Sequence, residues 1–263
     1  MTSKLSAADR ARLIRYGFDV TGESTINTLP RLTMAVSAPD KNGKSGFGLR
    51  ATPPVMYFNF DRKIERASLD ALGVDQSNLI IKEVYFNPKD AQDVHKKKWD
   101  EVEEAYLWAL KEANSVRSVV IDTETEMWAL ARLAAFGKVT QVMPHQYVAV
   151  NAMYSEMIKQ AERYDKNVIF LRRVKKEYKN DNWTGNMEVS GFSQLQYLVQ
   201  VNAAIRRETV WDEKREVDEQ QFTLEIINNG LKAAMNGMEF SGMMCEFKWV
   251  ASMLTDTSPT EWE

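Results

Sequence analysis

Cysteine and histidine are almost missing from this 263-residue chain, which has one cysteine, Cys245, and two histidines, His95 and His145, far apart in sequence. A lone cysteine cannot close an internal disulfide, and so few ligands cannot furnish a zinc site or a cysteine–histidine nucleophile pair. Magnesium held by carboxylates stays open. Long apolar runs are missing as well: none approaches the roughly 18 residues of a membrane helix, so no membrane association is expected. The opening stretch MTSKLSAADRARLIRYG lacks the apolar centre of a secretory signal. With the single cysteine, this predicts a protein of the reducing cytoplasm. Nor is there an excess of one charge. A formal net charge of −3 argues against a uniformly basic nucleic-acid coat, although a local basic stripe can still follow a phosphate backbone. What is present, 44% hydrophobic and 27% charged residues, is enough for one well-buried core.

Leu5, Ala8, Leu13 and Tyr16 recur at helical spacing, and Gly17 can end that helix, so residues 1–30 are expected to be an amino-terminal helical segment. Leu32 to Val36 reads as a buried strand that stops at the turn formers Ser37-Ala38-Pro39-Asp40. Ser45 to Arg50 allows only a brief helix before Pro53-Pro54, and Val55 to Phe60 is a second strand ending at Asp61. Residues 89–114 place Trp99, Val102, Tyr106 and Ala109 on one helix face. Helices are also predicted over Met127 to Phe136 and Tyr147 to Tyr164, and strands over Ser118 to Ile121, Val168 to Leu171, Tyr197 to Ile205 and Phe222 to Ile227. Alternating strands and helices predict an α/β core over 31–240, with a mostly parallel central sheet flanked by helices. Residues 172–194 have no apolar period and read as a long loop, and Arg206 to Glu219 as a charged connection. Trp99, Trp108 and Trp128 are expected in the core. Met235, Met238, Met243 and Met244 are expected to fill irregular packing or a subunit contact. Residues 241–263 form a carboxyl-terminal segment whose end, Thr255 to Glu263, is expected to be polar and mobile.

The window Ala38-Pro39-Asp40-Lys41-Asn42-Gly43-Lys44-Ser45 matches the phosphate-loop pattern except at its first position, where Ala38 replaces glycine. That pattern works by curling backbone N–H groups around phosphate at a helix start, with a lysine on the outer phosphates and a hydroxyl on magnesium. Gly43, Lys44, Ser45 and Gly46 can supply these. A bare Gly-Lys-Ser is weak evidence, but its place between a buried strand and a helix is the context the motif needs. Val119-Val120-Ile121-Asp122 delivers a carboxylate to a strand end, where ligands of open α/β sheets bind. Asp122 is a candidate to hold magnesium together with Ser45, and a strand ending in a solvated turn is the plainer alternative. Tyr57-Phe58-Asn59-Phe60-Asp61 brings a second carboxylate, and Asp61 is the candidate to activate water. Glu124 is a further catalytic candidate, since Glu124 or Glu126 could polarise water, although an acidic first helical turn also explains both.

With the phosphate loop, the segments YFNFDRKIERASLDALGVDQSNLII (57–81), VVIDTETE (119–126), VIFLRRVK (168–175) and YLVQVNAAIRRE (197–208) make the chain resemble the RecA-like recombinases. Within these it is similar to the phage-encoded RecA-like ATPases linked to single-strand annealing, over roughly residues 30–240. The resemblance implies a RecA-like P-loop core that takes ATP and Mg2+ at residues 38–46, with Lys44 and Ser45 on phosphate and metal and Asp122 as the second-motif aspartate. Asp61 stands where bacterial RecA carries its catalytic glutamate. Arg172 and Arg173 stand where that family senses the γ-phosphate, and either could instead act as a finger on a neighbouring subunit's ATP. Residues 175–194 match a DNA-binding loop, in which Arg173, Lys175, Lys176, Lys179 and Trp183, with Tyr178, can follow a single strand's phosphates and stack on its bases. Implied partners are single-stranded DNA, further copies in a ring or filament, and a single-strand-binding protein met by the tail, in a phage-infected bacterial cytoplasm. Ala38 and the short Asp61 point to slow hydrolysis. A nucleotide-clamped protein-interaction module without DNA activity, and a small-molecule kinase, remain the alternatives.

Overall fold

The computed structural model describes residue 15 and residues 31–61, 64–138, 143–179, 182–212 and 216–263. The expected helix over 4–16, and the segment 1–30 except residue 15, lie outside the described residues. Strands β1 (Thr33–Ala38), β2 (Val55–Asn59), β3 (Leu79–Glu83), β4 (Ser118–Asp122), β5 (Asn167–Lys179), β7 (Val201–Asp212), β8 (Val217–Asn229) and β9 (Glu239–Ser241) lie in the order β3-β2-β4-β5-β1-β7-β8-β9. From β3 to β7 every pairing is parallel, while β8 and β9 add antiparallel strands at one side. β6 (Asn182–Val189) pairs antiparallel with the distal half of β5.

The helices are α1 (Lys44–Leu49), α2 (Arg66–Ala71), α3 (Gln92–Lys111), α4 (Glu124–Phe136), α5 (Tyr147–Lys159), α6 (Leu195–Leu198) and α7 (Phe247–Thr255). Strands covered on both faces need apolar side chains at every position, which is why Ser118–Asp122 and the first half of β5 carry no polar alternation. One face packs Phe58, Ile121 and Phe170 beneath α3, α4 and α5, through Trp99, Tyr106, Met127, Trp128 and Tyr154. The other packs Met34, Val36, Tyr57, Val120, Ile169 and Leu171 beneath Phe47 of α1 and Phe247, Val250 and Leu254 of α7. Helix α4 begins under a Thr123 cap on the Glu126 N–H and ends at Gly137, whose φ of 68° suits a glycine.

Five expectations need correction. Within 172–194, residues 172–179 and 182–189 are not loop: they are the outer half of β5 and all of β6, an antiparallel pair that leaves the core, so these two stretches bury too little to give an apolar period. Residues 206–212 and 217–219 are likewise strand, in β7 and β8, which pair from Val201 to Asp212, while residues 195–198, expected to run into a strand from Tyr197, are a short helix. Trp108 is 46% exposed on the outer side of α3, although Trp99 and Trp128 are core residues as expected. The tail is packed: residues 31–263 form one compact unit, and Trp262, 2% exposed, lies against Phe247. Of the four methionines, Met235 is buried, whereas Met238, Met243 and Met244 are exposed.

Candidate active site

Parallel strands in register end together, and the site sits at those ends. Ala38 pairs with Arg173, Asp122 with Leu171 and Asn59 with Asp122, so the loop after β1, the end of β4 and the end of β2 converge on one edge. β5 lies between β1 and β4. The loop 39–43 turns into α1 through Gly43, whose φ of 89° favours glycine. A Cβ there would also come within 2.8 Å of the Phe222 ring on β8, and Asn42 Oδ1 accepts from the Arg207 N–H on β7, so the antiparallel strands brace the loop from one side. Gly48 lets α1 lie flat on the sheet, since a Cβ would meet Val120 Cγ1 at 2.8 Å and Leu171 Cδ1 at 3.0 Å.

A cleft of about 470 Å³ is lined by Asp40, Lys41, Asn42, Gly43, Lys44, Ser45, Gly46, Asp61 and Arg173. Lys44 is buried, and its Nζ donates to the carbonyls of Ala38 at 3.4 Å and Pro39 at 3.5 Å, so those two residues contribute oxygens behind the cleft rather than lining it. Ser45 Oγ donates to Asp122 Oδ2 at 2.6 Å, and Tyr57 Oη donates to the same oxygen at 2.5 Å. Asp122 Oδ1 is buried with no partner. Burial raises the Asp122 carboxyl, opposed by these two hydrogen bonds and the Lys44 ammonium. Burial, with the Asp122 charge next, raises the Tyr57 hydroxyl well above its usual range and keeps it a donor. Arg173 spans the cleft mouth, with Nη2 at 3.1 Å from Asp61 Oδ1 and Nη1 hydrogen-bonded to Glu126.

The sequence-predicted residues therefore divide. Lys44, Ser45, Asp61, Asp122 and Arg173 come together. Glu124 does not line the cleft: it is fully buried, and its Oε1 accepts from the Phe192 N–H at 3.0 Å and Tyr154 Oη at 3.2 Å. Arg172 also points inward, donating to the carbonyls of Ser190 and Phe192 and lying 3.4 Å from Glu124 Oε2. Burial pushes Glu124 up to about 7 against the pull of Arg172. Thus Arg173 alone of that pair can meet a bound phosphate. On the hairpin, Lys175 pairs with Glu188 and Lys179 with Glu177, while Lys176 lies 4.9 Å from the centre of the Trp183 ring. The sequence motifs give Tyr57 no role beyond its place in the strand. A tyrosine inside a strand covered on both faces was the available signal, because a buried hydroxyl needs a partner.

The donor set suits a divalent cation carried in with phosphate. Asp122 offers an unpartnered buried oxygen beside the Ser45 hydroxyl, and no cluster of three His, Cys, Asp or Glu side chains forms a stand-alone metal cage among the described residues. The family model described as AAA domain matches residues 31–228, three quarters of the chain. The chain belongs to this AAA-domain family. It is an AAA-type P-loop ATPase domain. The match spans β1 through most of β8, the strands that build and brace the site. No curated protein matches the chain. Among the described residues of this AAA domain, no helix is long and apolar enough to cross a membrane.

Proposed function

We propose that this AAA domain is a RecA-like ATPase that binds ATP with magnesium at residues 38–46 and holds single-stranded DNA to promote annealing or recombination in a phage-infected cell. The observation that carries the nucleotide half is the meeting of Ser45 Oγ and Asp122 Oδ2 at 2.6 Å, beside Lys44 and below Arg173. Lys44 would exchange two weak backbone partners for phosphate oxygens, and Ser45 and Asp122 are the residues that would hold magnesium. Magnesium, when bound, neutralises charge on the outer phosphates. Asp61 orients water once Arg173 turns from it toward the γ-phosphate. The neighbouring cleft of about 620 Å³, which shares Phe222 with the loop brace and is lined by Leu72, Trp211 and Gln221, suits the base and sugar.

The DNA half rests on the β5–β6 hairpin and the RecA-like segments. Lys176 pairs with Met187 and Tyr178 with Trp183 on either side of a bulge, and Lys176 lies over the Trp183 ring, so the two pairs meet on one face, where Tyr178, Trp183 and Met187 are exposed. Bases stack on such a face while Lys176 meets phosphate, and with Lys175 and Lys179 tied to carboxylates, stacking outweighs charge in binding. The hairpin root and Arg173 share β5, which links nucleotide state to the DNA surface. Oligomers and a single-strand-binding partner belong to the same reading. A nucleotide clamp acting through protein partners is the second reading, and the Arg173–Asp61 pair, which occupies the water-orienting carboxylate, favours it.

Anisotropy of a labelled single-stranded oligonucleotide, with and without ATP and magnesium, tests both halves. ATP-strengthened binding that Trp183→Ala weakens and Lys44→Ala uncouples from ATP is expected. ATP binding without DNA binding leaves the clamp reading, and unchanged ATP affinity in Lys44→Ala removes the nucleotide site.

A further inference from the structure

We propose that Tyr57 is the positioning residue for Asp122, fixing the carboxylate so that one oxygen is held and the other is offered to a hydrated divalent cation. This rests on the nucleotide-site reading above and adds a residue that neither the phosphate-loop pattern nor the second-motif aspartate specifies. Asp122 is 2% exposed, and a carboxylate so placed needs partners for both oxygens. Oδ2 has two, Ser45 Oγ at 2.6 Å and Tyr57 Oη at 2.5 Å, while Oδ1 has none. The missing partner must be a donor, and it must come from the cleft, where cation-bound water is the donor that phosphate brings with it.

The two hydroxyls on Oδ2 differ in what they can do. Ser45 begins α1 and sits in the cleft, so its oxygen can face a cation while its O–H still reaches Asp122. Tyr57 is fully buried on β2, with its ring packed beside Gly48 under α1, and can do only one thing. It holds Oδ2 whatever occupies the cleft. Without that bond Asp122 could swing Oδ1 back toward Ser45 and withdraw it from the cation. The two short bonds come from different elements, α1 and β2, so together they fix the carboxylate plane rather than a single distance.

Tyr57→Phe keeps the ring and deletes the bond. Binding of a fluorescent ATP analogue, titrated with Mg2+ or Mn2+, should show the cation midpoint rise by about tenfold, the loss expected for a hydrogen bond to a charged group. Affinity for the analogue in EDTA should stay at the wild-type value, and Mn2+ resonance should report fewer bound ions at equal concentration. A merely structural role would lower both affinities together or neither. An unchanged cation midpoint in folded Tyr57→Phe overturns the proposal while leaving the nucleotide site intact. Wild-type protein that binds the analogue with no dependence on cation overturns both. Should the variant not fold, a crystal structure of the wild type with magnesium and nucleotide decides: Tyr57 Oη within hydrogen-bond distance of Asp122 Oδ2 supports it, and a tyrosine swung away overturns it.

Discussion

Arg172 and Arg173 are adjacent in sequence and alike in chemistry, yet a strand sends them to opposite faces. Arg173 reaches the cleft, whereas Arg172, 5% exposed, neutralises Glu124 beneath Gly191, where even a Cβ would come within 2.1 Å of Glu124 Oε2. Removing one partner of such a pair strands a charge. Arg172→Met is therefore expected to cost about 3–5 kcal/mol in urea unfolding at pH 8, and Glu124→Gln in the same chain should recover much of it. The sign with pH follows from Glu124, whose folded value of about 7 lies above the ordinary 4.5. The folded protein holds this proton more tightly than the unfolded chain. Its contribution is present below 4.5 and lost as pH rises through about 7, so the Arg172→Met deficit should shrink at pH 5. Equal deficits at pH 5 and pH 8 would place the cause elsewhere. The sequence made Lys44, Ser45, Asp61 and Asp122 legible because their motif fixes strand ends. It could not separate Arg172 from Arg173, nor show that Glu124 faces inward, because facing depends on what crosses above it.

Elements built into the core announced themselves, and those that leave it did not. The apolar runs at 32–36, 119–121 and 168–171 have both faces covered, so composition alone marks them. The outer half of β5, β6 and the distal ends of β7 and β8 bury little, so lysines, glutamates and glutamines alternate with aromatics and mimic a loop. Backbone pairing holds those strands, and backbone pairing leaves no signature in side chains. Helix α1 is the opposite case, since its brevity was readable from Pro53-Pro54 but its closeness to the sheet was not. That closeness rests on Gly48. Gly48→Ala forces a methyl against Val120 and Leu171, and overpacking of this kind is expected to cost about 1–3 kcal/mol. Because α1 carries Lys44 and Ser45 at its start, lifting it should also weaken binding of a fluorescent ATP analogue. Unchanged affinity with reduced stability would mean that the loop keeps its place without the helix.

Across the whole molecule, the carboxyl terminus closes the sheet face that carries the phosphate loop. Phe47 of α1 stacks edge-on against Phe247 of α7 at 5.9 Å, and Phe247 meets Trp262 at 5.7 Å. Thr52 Oγ1 donates to the Trp262 carbonyl at 3.1 Å, tying the last turn to the chain that leaves α1. A polar, acidic composition hid this, because one buried tryptophan among charged neighbours has no period. Deleting residues 257–263 should cost about 3–5 kcal/mol, the range for losing a large aromatic from a core. Cys245 supplies the readout. It is the chain's single cysteine, buried in the same cluster, and burial pushes its thiol up to about 11. At pH 8 only about one thiol in a thousand is then the reactive thiolate, so a thiol reagent labels it chiefly when the face opens. The truncated chain should label faster than the full one, and saturating ATP with magnesium should slow labelling in both, since ligand that binds only the folded site stabilises the face to which α1 belongs. If truncation left the labelling rate and the urea midpoint unchanged, Trp262 would be an ornament on the face rather than its closure, and the aromatic chain from Phe47 to Trp262 would carry no load between tail and loop.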